Sequence, residues 1–346
     1  MTLQDDFPAL KSSTYFNTAY VGLMSKSLYD FRINFEQNYL LNGDNYKIEA
    51  YDRISQTQEN ISEFIGSKKE QTYFVSNFSV GIRLVLDSLT KGSKVLYLKD
   101  DYHSLVDAIE ERDLNLFGLT IEEDLEQKID HAFSQNNFDV LIISIVQFTH
   151  GLKIDFDFLE NLKERYPQLL IIGDATQYIG TEIFHFDSSP FDTVVCSGYK
   201  WLLAGFGNGF IALSDHFFES TNTTRDAFFQ KVFSGHFNIL AAASLVFAFD
   251  YLKSNNFEQL VQTNKHLGNT FRKELIDIGM TPAYHQRKDQ SSIISIATDE
   301  EVLKQLEGQN IRASYRNKYL RFSVHFYNSS SEIDQLIGTI RKLIPT

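Results

Sequence analysis

The chain has 346 residues, of which 43% are apolar, and a formal net charge of −13 at pH 7. This length and apolar content are sufficient for a large buried core and for two domains. The acidic balance argues against a nucleic-acid partner, because such proteins need clustered basic residues. The longest apolar stretch, residues 240–249, is far shorter than the ~20 residues that span a bilayer, so we expect no membrane segment.

The cellular location is indicated by the N-terminus and by the cysteine count. Residues 1–6 are acidic and lack a basic region followed by an apolar one, which predicts no secretory signal. The single cysteine, Cys196, has no partner for an intrachain disulfide and fits a reducing compartment. We therefore expect a cytoplasmic protein.

Helical and strand patterns alternate along the first half of the chain. Residues 1–14 resemble an arm, and residues 27–66 have a helical pattern in which Glu49 and Arg53 are spaced as a surface ion pair. Residues 120–123 match a capping box at the start of a helix. Short apolar or β-branched runs predict buried strands at residues 72–75, 95–98 and 138–146.

The second half continues this alternation and then changes character. A helical pattern at 157–166 stops at Pro167, as expected for a helix end. Further strands are predicted at 169–174, 191–196 and 210–213, followed by an apolar helix at 239–252. Beyond these lie a helix up to Gly279, a strand at 292–297, a helix at 299–307 and a strand at 319–324. The predicted domains are an arm at 1–14, a large domain at 15–250, and a small α+β domain at 251–346 joined by part of 25–50.

Two reactive side chains follow neighbouring predicted strands. Asp174 ends one strand, and Lys200 lies just past the end of the next. Because the carboxyl ends of parallel strands face the ligand crevice, the two groups can converge on one small molecule. A lysine amine forms a Schiff base with pyridoxal phosphate (PLP), and a carboxylate beside the pyridine nitrogen keeps the ring protonated. The pair therefore predicts a PLP site.

A helix N-terminus is predicted where the strand at 72–75 turns into a helix. Ser76 or Asn77 is a natural N-cap, and the free amides of the first helical turn attract an anion. Taken alone, this pattern favours capping of the helix without any ligand. The sequence offers no candidate metal site.

Two motifs, Asp-Ala-Thr-Gln at 174–177 and Ser-Gly-Tyr-Lys at 197–200, stand in this order at strand ends. Together they resemble the class V aminotransferase family of fold-type I PLP enzymes, which also includes cysteine desulfurases, selenocysteine lyases and isopenicillin N epimerase-like proteins. The resemblance runs over nearly the whole chain. It implies a large domain with a mostly parallel seven-stranded sheet flanked by helices, and a smaller α+β C-terminal domain.

The resemblance also implies contacts to the cofactor. Tyr102 would stack on the pyridine ring as a third catalytic residue, with His103 as the alternative. Gln177 would donate to the phenolic oxygen, and Ser197 and Tyr199 would bind the phosphate. In the same pattern, the backbone amides of Asn77 and Phe78 would also bind the phosphate.

A homodimer is implied by one further position. His236 occupies the place of a threonine that, in relatives, reaches across a dimer interface to the neighbour's phosphate. An active site completed by the partner chain implies an obligate homodimer.

Substrate contacts follow from the same resemblance. Arg321 matches the arginine that clamps the substrate α-carboxylate, for which a guanidinium offers a flat, two-pronged donor. Asn17 and Tyr20 are candidates for lining the mouth of the site. Many relatives have an asparagine where this chain has Phe148, so Gln147 is the candidate for that contact.

The sequence thus predicts an enzyme that acts on an amino acid, with Lys200 as general base. We favour a class V aminotransferase. A Cβ–S or Cβ–Se lyase, of selenocysteine-lyase or desulfurase type, and an amino-acid epimerase are the alternatives. Residues 308–318 contain no cysteine, which argues against chemistry that stores a persulfide. A ligand-sensing aminotransferase-like module is the non-enzymatic alternative, although the length leaves no room for an added DNA-binding domain.

Overall fold

A computed structural model describes residues 3–344, so the first two residues of the predicted arm and the last two of the chain lie outside the described residues. The strands are β1 (Thr14–Tyr15), β2 (Thr72–Val75), β3 (Lys94–Leu98), β4 (Asn115–Leu119), β5 (Val140–Ser144), β6 (Leu170–Asp174), β7 (Thr193–Ser197), β8 (Gly209–Leu213), β9 (Ile293–Ala297), β10 (Ile311–Arg312), β11 (Ser314–Arg316) and β12 (Tyr319–Ser323).

The α-helices are α1 (Lys26–Asn42), α2 (Asp44–Ile48), α3 (Ala50–Ile65), α4 (Phe78–Leu86), α5 (His103–Glu110), α6 (Leu125–Gln135), α7 (Phe156–Arg165), α8 (Asp215–Ser220), α9 (Arg225–Val232), α10 (Ile239–Ser254), α11 (Phe257–Asp277), α12 (Glu300–Glu307) and α13 (Ser330–Leu343). Short 3₁₀ helices cover Leu3–Asp6, Pro8–Lys11, Lys69–Gln71 and Phe186–Ser188. Among the described residues, no helix has both the length and the apolar character needed to cross a bilayer.

The central sheet has seven strands in the order β2-β8-β7-β6-β5-β3-β4. Neighbouring strands are parallel, except that β8 runs antiparallel to both β2 and β7. Every residue of β5, β6 and β7 is buried, since helices cover both faces of the sheet. Along β5, successive residues pack into different hydrophobic cores, with Leu141 in one and Ile142 in the other. The predicted mostly parallel seven-stranded sheet is confirmed.

A smaller sheet lies in the C-terminal part of the chain. Strands β9, β11 and β12 are antiparallel in the order β11-β12-β9, and they share a third hydrophobic core with α11, α12 and α13. The N-terminal segment joins this region, because β1 pairs in parallel with β10 and Asn17 forms a bridge to Ser323. The predicted α+β character of this region is confirmed, while the exact domain boundaries stay a prediction.

Most predicted elements are found within a few residues of their expected bounds, with three differences. The helical pattern at 27–66 consists of three helices, interrupted at Gly43, whose φ is +51°. The predicted capping box at 120–123 is wrong: the Thr120 hydroxyl donates to the Glu122 carboxylate, and the helix begins only at Leu125. Strands β4, β10 and β11 and helices α8, α9 and α13 were not predicted. The expected surface pair is confirmed, with 3.1 Å between the Arg53 and Glu49 side chains.

Candidate active site

The two reactive side chains meet at the carboxyl edge of the central sheet. Asp174 is the last residue of β6, and Lys200 lies three residues beyond the end of the adjacent parallel strand β7. Both face a cavity of about 140 Å³. The cavity is lined by Asn77, Phe78, Ser79, Tyr102, Ser144, Phe148, Asp174, Thr176, Gln177, Ser197, Tyr199 and Lys200.

Burial shifts the pKa values of both Asp174 and Lys200 toward neutral pH. Burial raises the pKa of Asp174, against the opposing effect of the Thr176 amide, which donates to its carboxylate at 2.8 Å. Burial lowers the pKa of Lys200, and the positive charges of Arg321 and Arg316 lower it further, while Asp174 opposes them. An amine with a lowered pKa is more often neutral, and therefore a better nucleophile, than an exposed lysine.

The turn that presents Lys200 is held by hydrogen bonds from three parts of the chain. The Gly22 amide donates to the Tyr199 carbonyl at 3.0 Å. The His325 ring contacts the Trp201 carbonyl at 3.2 Å through Nε2, which therefore acts as the donor. The Trp201 indole in turn donates to the Gln177 amide oxygen at 2.8 Å. These contacts fix the backbone on both sides of Lys200.

Tyr102 forms one side of the cavity. Its ring centroid lies 5.7 Å from the Lys200 amine and 5.6 Å from the ring of Phe148. The preceding residue, Asp101, is buried and accepts from the Ser144 amide at 2.9 Å and the Ser144 hydroxyl at 2.6 Å, which ties the Tyr102 turn to the end of β5. His103 is exposed and does not line the cavity, so Tyr102 has the better placement for stacking.

The N-terminus of α4 also lines the cavity, through Asn77, Phe78 and Ser79. The Asn77 side chain accepts from the Val80 amide at 2.9 Å, which makes Asn77 the N-cap, as predicted. The Phe78 amide, which was predicted to bind the phosphate, instead donates to the Ser197 hydroxyl at 2.8 Å. That hydroxyl can still donate a hydrogen bond of its own to a further acceptor. Hydroxyls and a helix N-terminus together form a suitable site for a phosphate.

Arg321 is a buried cation without a protein counter-ion. It is 2% exposed, and its guanidinium donates to the Phe148 carbonyl at 2.6 Å and the Ser314 hydroxyl at 3.0 Å. No carboxylate within residues 3–344 forms an ion pair with it. Burial and the charge of Arg316 lower the pKa of Arg321 to about 9. A buried guanidinium with unused N–H groups is suited to an anionic ligand.

Two predicted contacts look different in the structure. The Gln147 amide oxygen accepts from the Thr149 and His150 amides, both at 2.8 Å, and Gln147 does not line the cavity. Its predicted substrate contact therefore lacks support, because its side chain closes its own loop. Gln177 lines the cavity, but one N–H of its amide donates to the Ala19 carbonyl at 3.0 Å, which leaves one N–H for a cofactor oxygen.

Besides Gln147, four predicted residues lie outside the cavity lining, namely Arg321, Tyr20, Asn17 and His236. Arg321 is connected to the lining by its hydrogen bond to the Phe148 carbonyl. Tyr20 is 55% exposed, and the Arg316 guanidinium lies 5.6 Å from its ring centroid. Asn17 is half-buried, and its amide oxygen has no hydrogen-bond partner among the described residues. His236 is exposed and lines a different cavity, of about 470 Å³, with residues of α1 and α2.

Several residues that shape the site have no assigned role in the sequence analysis, namely Asp101, Thr176, Trp201 and His325. A sequence signal for Asp101 exists, because an acid three residues after a buried strand and directly before Tyr102 can accept from the backbone and anchor the turn. His325 gives no comparable signal, because its contact with Trp201 joins residues 124 positions apart.

The residues of the cavity fit PLP. Asp174 offers a buried carboxylate for a pyridine nitrogen, Lys200 an amine for an aldehyde, and Ser197 a hydroxyl for a phosphate.

Comparisons with known proteins agree with this donor set. The family model "Aminotransferase class-V" matches residues 26–336. A probable cysteine desulfurase of Borreliella burgdorferi is 22% identical over 99% of this chain and 96% of that protein. A probable cysteine desulfurase of Ureaplasma parvum is 24% identical, but the match covers 57% of this chain and 53% of that protein.

Solved structures share the fold. An apo cysteine desulfurase from Thermococcus onnurineus superposes with a TM-score of 0.82 at 17% identity, covering 99% of this chain and 97% of that one. The cystine C–S lyase C-DES, in complex with its reaction product cysteine persulfide, superposes with a TM-score of 0.86 at 15% identity, covering 96% and 98%. These likenesses show a fold-type I architecture. With the family model matched over most of its length, the chain belongs to the class V aminotransferase family and is a PLP-dependent enzyme.

Proposed function

We propose that Lys200 and Asp174 hold PLP in the cavity and that Arg321 binds the α-carboxylate of an amino-acid substrate. The observation that carries this proposal is a buried amine and a buried carboxylate that face one cavity, beside a buried guanidinium. This guanidinium, of Arg321, has no carboxylate partner within residues 3–344 and donates to the carbonyl of Phe148, which lines the cavity. An unpaired buried charge is costly, so each of these groups is better explained by a ligand than by the fold alone.

When bound, PLP supplies an electrophilic aldehyde and an electron sink for a bond broken at the substrate α-carbon. Lys200 would hold the cofactor through its amine and, once freed, would take a proton from the substrate α-carbon and return it. Asp174 holds a proton at the pyridine nitrogen. The ring of Tyr102 covers one face of the cavity and excludes water from it.

Transfer of the amino group is the reaction that we favour. Storage of sulfur as a protein persulfide would need an accessible thiol, whereas the single cysteine, Cys196, is fully buried in β7. Burial also raises the pKa of the Cys196 thiol well above its usual value, which makes it a poor nucleophile. Epimerisation would need a second base. Besides Lys200 and Asp174, the only ionisable side chains among the described lining residues are two tyrosines whose pKa values burial raises.

A Cβ–S or Cβ–Se lyase that releases its product without a protein thiol is the second candidate. It is favoured by the likeness to the cystine C–S lyase C-DES. Lys200 would serve this reaction equally well, because loss of a substrate leaving group at Cβ begins with removal of the same α-proton.

One screen separates these candidates. The purified, PLP-loaded enzyme is incubated with each amino acid, with and without a keto-acid acceptor, and new amino acid, pyruvate, sulfide and selenide are measured. Product that depends on the keto acid supports amino transfer, and pyruvate with sulfide or selenide in its absence supports the lyase. No turnover of any amino acid, with Lys200 loaded, would contradict the proposal.

We further propose a cytoplasmic homodimer whose active sites are shared. Support comes from His236, which is exposed and lies away from the cavity of its own chain, beside a surface with exposed Leu40, Leu41 and Ile48. Apolar side chains clustered on a surface are typical of an interface. A single, buried cysteine suits a reducing cytoplasm.

A further inference from the structure

A second polar cavity lies away from the active site, against one face of α11. Its volume is about 170 Å³. We call it the α11 pocket, and it is lined by Lys153, Thr181, Glu182, Asn264, Lys265, Gly268, Asn269, Arg272, Lys288, Asp289, Gln290, Ser291 and Ser292. None of these residues lines the active-site cavity. At ~30 Å³ per water molecule in the liquid, this volume corresponds to about five or six waters.

Arg272 is the deepest charged group of the α11 pocket. It is 8% exposed, and Nη2 donates to the Ser291 and Ile293 carbonyls. Within residues 3–344 no carboxylate forms an ion pair with it, and Nε and Nη1 have no protein acceptor. Burial lowers the pKa of Arg272 to about 10. The guanidinium therefore keeps free donors and an uncompensated charge inside the protein.

Asn264 adds a second unsatisfied group to the same face. It is 1% exposed, yet neither its amide nitrogen nor its amide oxygen has a hydrogen-bond partner among the described residues. Buried polar groups without partners are rare in folded proteins, and each calls for an explanation such as a bound ligand. Asn264, Gly268 and Arg272 follow each other at intervals of four residues, so they form one stripe along α11.

Gly268 leaves space beside the guanidinium. A Cβ placed on this residue would come within 3.3 Å of Arg272 Nη1, which is closer than an ordinary contact. The lysines of the pocket add positive charge. Lys153 and Lys265 both pair with Glu182, at 2.7 and 3.3 Å, so one carboxylate is shared between two cations. The Lys288 amine forms a long ion pair, 3.8 Å from the Asp157 carboxylate.

We propose that the α11 pocket is a binding site for a small anion, a compact carboxylate or phosphate, held by Arg272 and by the Asn264 amide. Such a ligand satisfies the free guanidinium donors and the amide nitrogen at once. The pocket lies near the active site along the chain: the Ser291 hydroxyl donates to the Gly151 carbonyl at 2.7 Å, in the same loop as Phe148, whose carbonyl accepts from Arg321.

The test uses the PLP-loaded enzyme, so that the cofactor already fills its own phosphate site. The midpoint of thermal unfolding is measured against inorganic phosphate and, separately, malonate, with sodium chloride keeping the ionic strength constant. We expect a saturable rise with at least one of the two anions, and the anion that gives it identifies the chemistry of the ligand. Loss of a charge-assisted contact in Arg272→Gln should weaken the apparent affinity ~10-fold or more.

Further variants locate the binding and guard against misfolding. Asn264→Leu, which removes the unsatisfied amide, and Lys265→Gln, which changes a half-exposed residue at the rim, should each weaken the response. Arg165→Gln, on the exposed surface of α7, should leave it unchanged, and so should Arg321→Gln. An equal response in wild type and all pocket variants, a response lost only in Arg321→Gln, or no saturable response to either anion would overturn the proposal.

Discussion

His325 lies fully buried between two aromatic rings, one of which is Trp201, the residue directly after Lys200. Its ring is 12° from parallel with Trp201 and 16° from parallel with Tyr327. Nε2 donates to the Trp201 carbonyl, while the buried Nδ1 has no hydrogen-bond partner among the described residues. No acid within hydrogen-bond reach could stabilise a charged ring, so burial lowers the pKa of His325 to about 3. The lysine turn therefore rests on a histidine that must stay neutral.

This burial predicts how the stability of the protein depends on pH. The unfolded histidine has a pKa of about 6.5, so between this value and the folded pKa the unfolded chain binds more protons. Stability is therefore fully present above about pH 6.5 and is lost as the pH falls toward 3. Between pH 7.5 and pH 5, wild type should lose ~2 kcal/mol more of its unfolding free energy than His325→Gln, which has no ring to protonate. Urea unfolding at both pH values measures this, and equal losses would contradict it.

Arg321 gives the second prediction at the residue scale. In Arg321→Ala the substrate carboxylate loses its buried partner, so KM for the amino acid should rise roughly 30-fold or more. Arg321→Lys keeps the charge but not the two-pronged geometry, so its KM should lie between that of wild type and that of Arg321→Ala. Steady-state kinetics measure KM, and the visible absorption of the bound cofactor serves as a control that its site is intact. A KM equal to that of wild type would refute the role of Arg321.

At the scale of elements, the site depends on how closely the N-terminal segment approaches the lysine turn. A Cβ on Gly22 would lie 2.1 Å from the Lys200 carbonyl oxygen and 3.0 Å from that of Tyr199. No side chain fits there, and the Gly22 amide donates to the same turn. Ser323 of β12 also reaches this segment, because its hydroxyl accepts from the Ala19 amide at 2.9 Å. Segment, turn and strand thus form one packed unit.

Replacement of this glycine tests the close approach. Gly22→Ala should destabilise the protein by ~1–3 kcal/mol and weaken PLP binding, because the methyl group must push the Lys200 turn away. Gly338→Ala is the matched control, since nothing lies within 4 Å of its Cβ position in α13. There the change should stabilise the protein by ~0.5–1 kcal/mol through helix propensity. Urea unfolding and a PLP titration measure both variants, and similar behaviour of the two would contradict the packing argument.

The sequence predicted those elements that have a local pattern. Buried runs such as 169–174 identify central strands, because helices cover both faces of the sheet. Strand β4 was missed, since it lies at the sheet edge and three of its five residues are exposed. In the site, Lys200 and Asp174 were found from strand ends. The engagement of Gln147 in its own loop, and of His325 with Trp201, depends on tertiary contacts that have no local signature.

At the scale of the whole molecule, residues far apart in sequence complete one site. The cavity joins the end of β2, the turns after β3 and β5, and the ends of β6 and β7. Arg321 reaches it from the smaller sheet by its hydrogen bond to the Phe148 carbonyl. In the proposed dimer, His236 adds a contribution from the second chain.

Mixed dimers test whether the site is shared. Lys200→Ala and His236→Ala homodimers should each have low activity, the first for lack of the amine and the second for weak cofactor binding. The two variants are then refolded together, so that each mixed dimer has one chain of each kind. If His236 serves the partner's site, one of the two sites in that dimer has both native Lys200 and native His236, and activity at limiting PLP should return. Light scattering verifies the dimer. Mixed samples no more active than the average of their parents would contradict the shared site.

The most direct test of the central claim is to locate the cofactor. The PLP-loaded enzyme is reduced with borohydride, which makes the bond between cofactor and lysine permanent, and is then digested and analysed by tandem mass spectrometry. We predict that the cofactor mass is found on Lys200 and disappears in Lys200→Ala. Cofactor attached to a different lysine in the wild-type enzyme, or none attached at all, would contradict the account.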